Sequence, residues 1–276
     1  MKTAKESECR ILSVKDKQQA SLETLNHFRE YCEQNHINYY LAYGTLLGAV
    51  RHKGFIPWDD DVDVMMPRPD YERLLSEYHD STKQFALFTC FSDKGYILPY
   101  AKIDNGRTAR VNIDGSIDSR GIGIDIFPLD GITDDIDLAK RLFERQNNKF
   151  LKLTNRLYAY SLMPANSATN YVKRLIGNVG MKTGFVNRTV RKIAKKMSIL
   201  DYSTCSMAAL ATGIYSGRLI PFKMEWLKNI KLEFEGELYN CPSGYHEILK
   251  GLYGDYMVIP SEEDRISTHT EEFIWR

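Results

Sequence analysis

The chain has 276 residues, of which 43% are apolar and 26% charged, with 37 basic and 36 acidic side chains. This composition is that of a soluble globular protein, and it excludes a mostly disordered chain, a collagen-like repeat and a coiled coil. No apolar run approaches the roughly 18 residues of a membrane-spanning helix, and the polar N-terminus shows no signal peptide. Five widely spaced cysteines without a CxxC pair argue against a disulfide framework or a structural zinc site. We therefore expect a reducing, cytoplasmic location.

The first elements in chain order are a helix, a short strand and a second helix. Apolar residues at steps of three and four, among them Leu25 and Phe28, predict an amphipathic helix over residues 15–36. A short β-prone run occupies residues 39–43. The apolar stretch 44–50, with glycines near both ends, favours a tight turn that opens a short helix.

Polar and apolar residues alternate over residues 61–64, which predicts a strand. Asp70 follows Pro69 and is expected to cap the next helix. Asp134 or Asp135 is expected to cap a long helix that runs to about Tyr160. Further short strands are predicted near residues 86–90, 97–103 and 124–127.

Charge is distributed very unevenly along the chain. Residues 145–200 contain twelve basic side chains and neither Asp nor Glu, whereas the rest of the chain has 25 basic and 36 acidic side chains. Such asymmetry indicates an anionic partner for the middle of the chain. We predict three parts: an α+β catalytic core over 1–135, a basic helical insert over 136–205, and a segment over 206–276 that returns to complete the core.

An acidic cluster precedes and enters the predicted strand. Residues two apart in a strand point the same way, about 6.6 Å apart at Cα, so Asp61 and Asp63 can converge on a hard cation. Asp59 shares their parity but lies where the strand has hardly begun, and Asp60 should point elsewhere. Mg²⁺ takes oxygen ligands, and paired ions about 3.5–4 Å apart clamp the attacking and leaving oxygens in phosphoryl transfer. Mg²⁺ is therefore the expected cofactor, as one or two ions that Mn²⁺ can replace.

Asp125 is a third candidate, because a lone carboxylate between Ile124 and Ile126 is unusual in a buried strand. A metal ion would compensate such a charge, and the carboxylate could also accept a proton from an attacking hydroxyl. The alternative interpretations are a solvated acidic turn at residues 59–63 and a strand in which Asp125 faces solvent.

The spacing of Gly44-Thr45, Asp61-Val62-Asp63 and Asp125 resembles the nucleotidyltransferase fold of the DNA polymerase beta superfamily. The whole block Tyr43–Asp63 resembles the core of the LicD family nearly residue for residue. The stretch Gly123–Gly131 and the C-terminal stretch from Tyr253 through Arg265 to His269 are also similar to that family. The resemblance implies a mixed sheet with flanking helices.

The resemblance also implies an activity. LicD-type enzymes transfer phosphocholine from CDP-choline to a sugar hydroxyl of a teichoic-acid or lipopolysaccharide glycan. Fukutin-related protein, a ribitol-phosphate transferase, has a similar core, so ribitol or glycerol phosphate remains an alternative group. A further alternative is a non-catalytic module that binds a glycan or a membrane.

Several residues are candidates for substrate binding. Gly44 and Thr45 form the predicted turn beside the acids. Arg51, His52 and Lys53 could bind phosphate and offset charge on the leaving CMP, unless they belong to a solvated loop. The family likeness adds His269 as an acid, a base or a phosphate ligand.

The basic middle has three candidate partners: nucleic acid, an anionic lipid surface and an anionic, lipid-linked glycan acceptor. No motif supports nucleic acid. Residues 186–199 predict a basic amphipathic helix suited to the inner face of the cell membrane, with Val186, Val190 and Ile193 on its apolar face. The alternative is that this face packs on the protein core.

Overall fold

The computed structural model describes residues 10–112, 116–197, 200–210, 219–265 and 271–276. Within these ranges the chain forms an α+β fold in which helices flank a mixed sheet. The helices are α1 (Val14–Gln34), α2 (Tyr43–His52), α3 (Arg68–Glu77), α4 (Ile136–Ser161), α5 (Ala168–Lys182), α6 (Phe185–Met197) and α7 (Tyr245–Tyr253).

The strands are β1 (Tyr40–Leu41), β2 (Val62–Pro67), β3 (Phe85–Phe88), β4 (Ala101–Asn105), β5 (Thr108–Val111), β6 (Gly123–Ile132), β7 (Met207–Ala209), β8 (Pro221–Lys223), β9 (Asn229–Phe234), β10 (Glu237–Pro242) and β11 (Glu272–Trp275). The main sheet has the order β1-β2-β6-β4-β3, and β7 and β8 extend it from the C-terminal end of β6. Strands β2 and β6 are parallel, whereas the other neighbours in this sheet are antiparallel. A β9–β10 hairpin and a β5–β11 pair form two smaller sheets.

The centre of the sheet is apolar because it is covered on both faces. All six residues of β2 are buried, and Asp125 is the one residue of β6 that is only half-buried. Near-continuous apolar runs are typical of strands covered on both sides. Helices α1 and α3 contact both β2 and β6. Asp63 and Asp125 therefore stand out as the carboxylates placed in the first residues of two core strands.

Two of the predicted helices are confirmed almost to the residue, and one predicted cap is wrong. Helix α1 starts at a capping box in which Ser13 and Asp16 bond each other's backbone N–H, and α4 starts with the Asp135 carboxylate accepting the Leu138 N–H at 2.8 Å. Helix α3, in contrast, begins at Arg68, so Asp70 lies in its first turn and does not cap it. Proline is tolerated in that first turn because the N–H groups there have no intrahelical acceptor.

Helices α4, α5 and α6 pack on one another and form the basic part of the chain. The predicted apolar face of α6 is buried in protein, with Val186 and Val190 fully buried and Ile193 4% exposed. Val190 packs in a cluster with Cys90 and Tyr96. The prediction that this face contacts a membrane is therefore wrong, and the alternative of packing on the core is confirmed.

A buried ion pair joins α3 to β6. The Arg68 guanidinium donates to both carboxylate oxygens of Asp130, at 2.7 and 2.9 Å. Asp130→Ala should lower the free energy of unfolding by about 3–5 kcal/mol, because it leaves a buried cation without its partner. Glu72→Gln removes the exposed partner of the same arginine and should cost about 0.5 kcal/mol or less. Urea denaturation of both variants checks this, and equal costs would contradict it.

Candidate active site

Three carboxylates converge at one end of the sheet. Asp61 immediately precedes β2, Asp63 is its second residue, and Asp125 is the third residue of β6. The parallel register pairs Asp63 directly with Asp125, so the two side chains lie on the same face of neighbouring strands, about 4.8 Å apart in backbone spacing. All three line a cavity of about 320 Å³. A second cavity, of about 100 Å³, also shares Asp61 and Asp125.

Sequence reasoning did not find two further charged residues of this site. Lys102 on β4 pairs in register with Asp125, so Asp63, Asp125 and Lys102 form one row across three strands. The Lys102 Nζ lies 4.0 Å from the Asp125 Oδ1 and 3.8 Å from the Asp104 Oδ1. The alternation of Lys102 and Asp104 within an otherwise apolar run is the signal that could have identified them.

Asp61, Asp63 and Asp125 place excess negative charge where solvent exposure is limited. Asp63 is only 3% exposed, and burial, together with the neighbouring charges of Asp61 and Asp125, raises its pKa well above the usual value. Burial also raises the pKa of Asp104 to about 6, although Lys102 opposes the shift. A cation in the cavity would relieve both penalties, since an adjacent positive charge favours ionised carboxylates.

Aromatic and basic side chains complete the cavity. Tyr96, Tyr100, Phe127 and Phe273 supply its aromatic lining, and burial together with the nearby Asp125 carboxylate raises the pKa of the Tyr100 hydroxyl. Tyr96 is buried, and its hydroxyl has no hydrogen-bond partner among the described residues. Arg110 and Arg120 also line the cavity, so a ligand there meets both signs of charge.

The predicted Gly44-Thr45 turn lies at the start of α2, where it contacts Asp63 and Asp59. The Thr45 Oγ1 accepts the backbone N–H of Asp63 at 2.8 Å, which fixes the first turn of α2 to the start of β2. A Cβ on Gly44 would come within 2.8 Å of the Asp59 Oδ2, so glycine is needed there for the carboxylate to approach. Asp60 points elsewhere, as predicted: it is buried and pairs with the Lys17 Nζ at 2.9 Å.

The basic trio at the end of α2 does not line the described cavity. The Arg51 Nη1 donates to the Tyr256 carbonyl at 2.9 Å, and the ring of His52 packs edge-on against Trp58. Lys53 ends the helix in the left-handed conformation and pairs with Glu233. His269 lies outside the described residues.

Tyr253, the last residue of α7, lies near both Arg51 and the acidic residues. Its pKa is raised by burial and by the charges of Asp63, Asp59 and Asp61, while Arg51 acts in the opposite direction. The C-terminal end of α7 therefore lies within electrostatic reach of both the acidic cluster and Arg51.

The donor set suits a hard divalent cation. Within the described ranges, no three His, Cys, Asp or Glu side chains are already gathered closely enough to enclose an ion. Mg²⁺ usually keeps several waters and takes only one or two protein carboxylates, with substrate phosphates completing its shell. Asp61, Asp63 and Asp125 fit that role, since a cation would offset both the burial and the repulsion from Asp61 and Asp125 that raise the pKa of Asp63.

Residues 36–160 match the family model described as "LicD/FKTN/FKRP, nucleotidyltransferase domain". The matched span contains the Gly44-Thr45 turn, all three carboxylates and Lys102. Residues 36–160 are a LicD-family domain. The resemblance carried by the sequence motifs is thereby confirmed.

One relative extends the LicD likeness over nearly the whole chain, and two others match parts of it. The chain is 29% identical to the lipopolysaccharide cholinephosphotransferase LicD of Haemophilus influenzae over 95% of its own length and 97% of that protein. An uncharacterized protein of Rickettsia typhi is 32% identical over 28% of this chain and 26% of its own. The mannosyltransferase regulator 4 of Saccharomyces cerevisiae is 29% identical over 42% of this chain and 10% of its own.

Proposed function

We propose that this protein transfers phosphocholine from CDP-choline to a sugar hydroxyl of a cell-surface glycan precursor, of the teichoic-acid or lipopolysaccharide type, and releases CMP. The observation that carries the proposal is the pairing of the Asp63 and Asp125 carboxylates in a LicD-family domain, where the likeness to a cholinephosphotransferase extends over nearly all of both chains. We also propose that the mixed sheet is nucleotidyltransferase-like, of the DNA polymerase beta superfamily. The description of the matching family supports this assignment.

Asp61 and Asp63 would hold Mg²⁺, and Asp125 would complete the site. When bound, the ion supplies Lewis-acid stabilisation of charge on the transferring and leaving phosphates. The protein's own part is to hold the carboxylates: parallel pairing fixes Asp63 beside Asp125, and Thr45 fixes the backbone of Asp63. Lys102, on the other strand next to Asp125, reduces the net negative charge of the row formed by Asp63, Asp125 and Lys102.

The transfer exchanges one phosphorus–oxygen bond for another. The sugar oxygen forms a bond to the phosphorus that carries choline, and the bond from that phosphorus to the CMP oxygen breaks. The hydroxyl proton passes to the Asp125 carboxylate, which is half-buried and within reach of the cavity. Arg51, His52 and Lys53, which lie outside the described cavity, are proposed together with His269 to offset charge on the CMP side, where the donor would extend beyond that cavity.

The aromatic lining favours a choline group over an alditol. Tyr96, Tyr100 and Phe127 line the same cavity as the carboxylates, and aromatic faces attract quaternary ammonium groups. Ribitol or glycerol phosphate would instead place its hydroxyls against the charged side chains of the same cavity, among them Arg110 and Arg120, so a direct comparison of donors decides between them.

Competition among donors tests this proposal. Purified protein is incubated with Mg²⁺, a mixture of methyl glycosides as acceptors, and equal amounts of CDP-choline, CDP-ribitol and CDP-glycerol, and each transferred group is followed by mass spectrometry. We expect phosphocholine glycoside and CMP as the main products. A preference for ribitol or glycerol phosphate would overturn the choice of donor. Absence of both CMP release and donor binding would favour the non-catalytic module.

A further inference from the structure

Helix α5 carries its large apolar side chains on its outer face. Five of them, on successive turns, are 49–60% exposed: Tyr171, Val172, Leu175, Ile176 and Val179. Helices on protein surfaces normally bury the apolar stripe and expose the polar one. An exposed apolar stripe of this length therefore marks an interaction surface.

The inner face of α5 explains why these side chains cannot turn inward. Gly177 and Gly180 are buried against α4, and a Cβ on Gly177 would lie 2.3 Å from the backbone nitrogen of Ser161. Gly180 similarly packs on Leu157. The two backbones approach so closely that only small residues fit between the helices. The large apolar residues consequently occupy the side of α5 that faces away from α4.

The charge around this stripe is of one sign. Lys173, Arg174 and Lys182 lie on α5 itself, and the exposed Lys192 and Lys196 lie on the neighbouring α6. No Asp or Glu occurs anywhere in residues 145–200. A second copy of the chain placed on this face would bring two strongly positive surfaces together, which is unfavourable. The charge instead complements an anionic surface.

We propose that α5 lies in the interface of an anionic lipid bilayer, with Tyr171, Val172, Leu175, Ile176 and Val179 (the α5 stripe) at the level of the acyl chains. The surrounding lysines and arginines would meet lipid phosphates, as in other basic amphipathic helices at membrane surfaces. No helix among the described residues is long and apolar enough to span a membrane. The proposed contact is that of a helix lying on the bilayer, and it does not depend on the reaction proposed above.

The fold connects this surface with the carboxylate cavity. Helix α6 packs against α5, and its Asn187 side-chain amide donates to the backbone carbonyls of Cys90 and Tyr96, both at 3.0 Å. Tyr96 lines the cavity. A bilayer under α5 would therefore hold the cavity at a set position relative to the lipid surface, where a lipid-linked acceptor is found.

Co-sedimentation with vesicles tests the proposal without any substrate. Wild type should bind vesicles of 40% phosphatidylglycerol in phosphatidylcholine, and binding should weaken as salt shortens the Debye length. The double substitution Leu175→Gln and Ile176→Gln should weaken binding about tenfold or more, because it removes the apolar contribution and leaves the charges in place. Leu238→Gln, at a 55% exposed leucine on β10, is the matched control and should bind like wild type.

Each of the other outcomes overturns the proposal. Wild type that ignores the anionic vesicles at low salt, or a double variant that binds as well as wild type, would exclude a lipid role for the α5 stripe. Light scattering without lipid gives the remaining outcome. Self-association of wild type that the double variant abolishes would assign the stripe to a second copy of the chain.

Discussion

Asp63→Asn is expected to reduce phosphocholine transfer by about 10³-fold or more, because a lost metal ligand removes several kcal/mol of transition-state stabilisation. Asp61→Asn should act in the same way, and excess EDTA should abolish transfer by wild type. The products are measured as CMP release. Asp137→Asn, at an exposed carboxylate in the first turn of α4, is the matched control and should keep full activity.

The same substitution should leave the fold intact and its stability equal or higher. Asp63 is buried, and its folded-state pKa is raised. An acid whose pKa is higher in the folded than in the unfolded state costs stability when it is ionised at neutral pH. Asparagine removes that cost and keeps the backbone N–H bonded to Thr45. Full transfer activity in Asp63→Asn, or in wild type with excess chelator, would overturn the metal assignment.

Asp125→Asn is expected to lower turnover by about 10²–10⁴-fold, the range for losing a general base. Its position allows two roles, which a titration with Mg²⁺ separates. A metal ligand would show weakened Mg²⁺ affinity, and higher Mg²⁺ would restore part of the rate. A pure general base would show unchanged Mg²⁺ and donor affinity with lost turnover.

We expect a mixed role for Asp125 that is weighted toward the metal. The carboxylate is half-buried between Asp63 and Lys102, and the lysine Nζ remains 4.0 Å away, so one cation only partly compensates the row. Partial rescue of Asp125→Asn by Mg²⁺ supports this weighting. An unchanged Mg²⁺ dependence with lost turnover would contradict it.

The alternation of residue types was enough to predict which carboxylates meet in the candidate site. Asp63 could be singled out because it shares a strand face with Asp61 while Val62 and Val64 occupy the other, and Asp125 because a lone carboxylate between isoleucines needs a compensating charge. The lysine that pairs with Asp125, Lys102, was harder to find. Lys102 belongs to a strand that begins later than the predicted run 97–103, and register across strands cannot be read from one strand alone.

In the basic helices, sequence patterns predicted the face of a helix but not what packs against it. Periodicity in residues 186–199 correctly predicted which side chains share a face of α6, but not that protein covers this face. In α5 the deciding feature is the close approach to α4 at Gly177. That contact depends on how the two helices pack. From sequence alone, a glycine within a helical pattern only makes a helix less expected, so it could not predict the contact.

Calorimetric binding of CDP-choline shows whether the Asp63 and Asp125 carboxylates bind the donor's diphosphate through Mg²⁺. Wild type and Asp63→Asn are titrated with CDP-choline in the presence of Mg²⁺ and again in EDTA. We expect saturable binding only for wild type with Mg²⁺. Equal affinity for CDP-choline in all four titrations would contradict it.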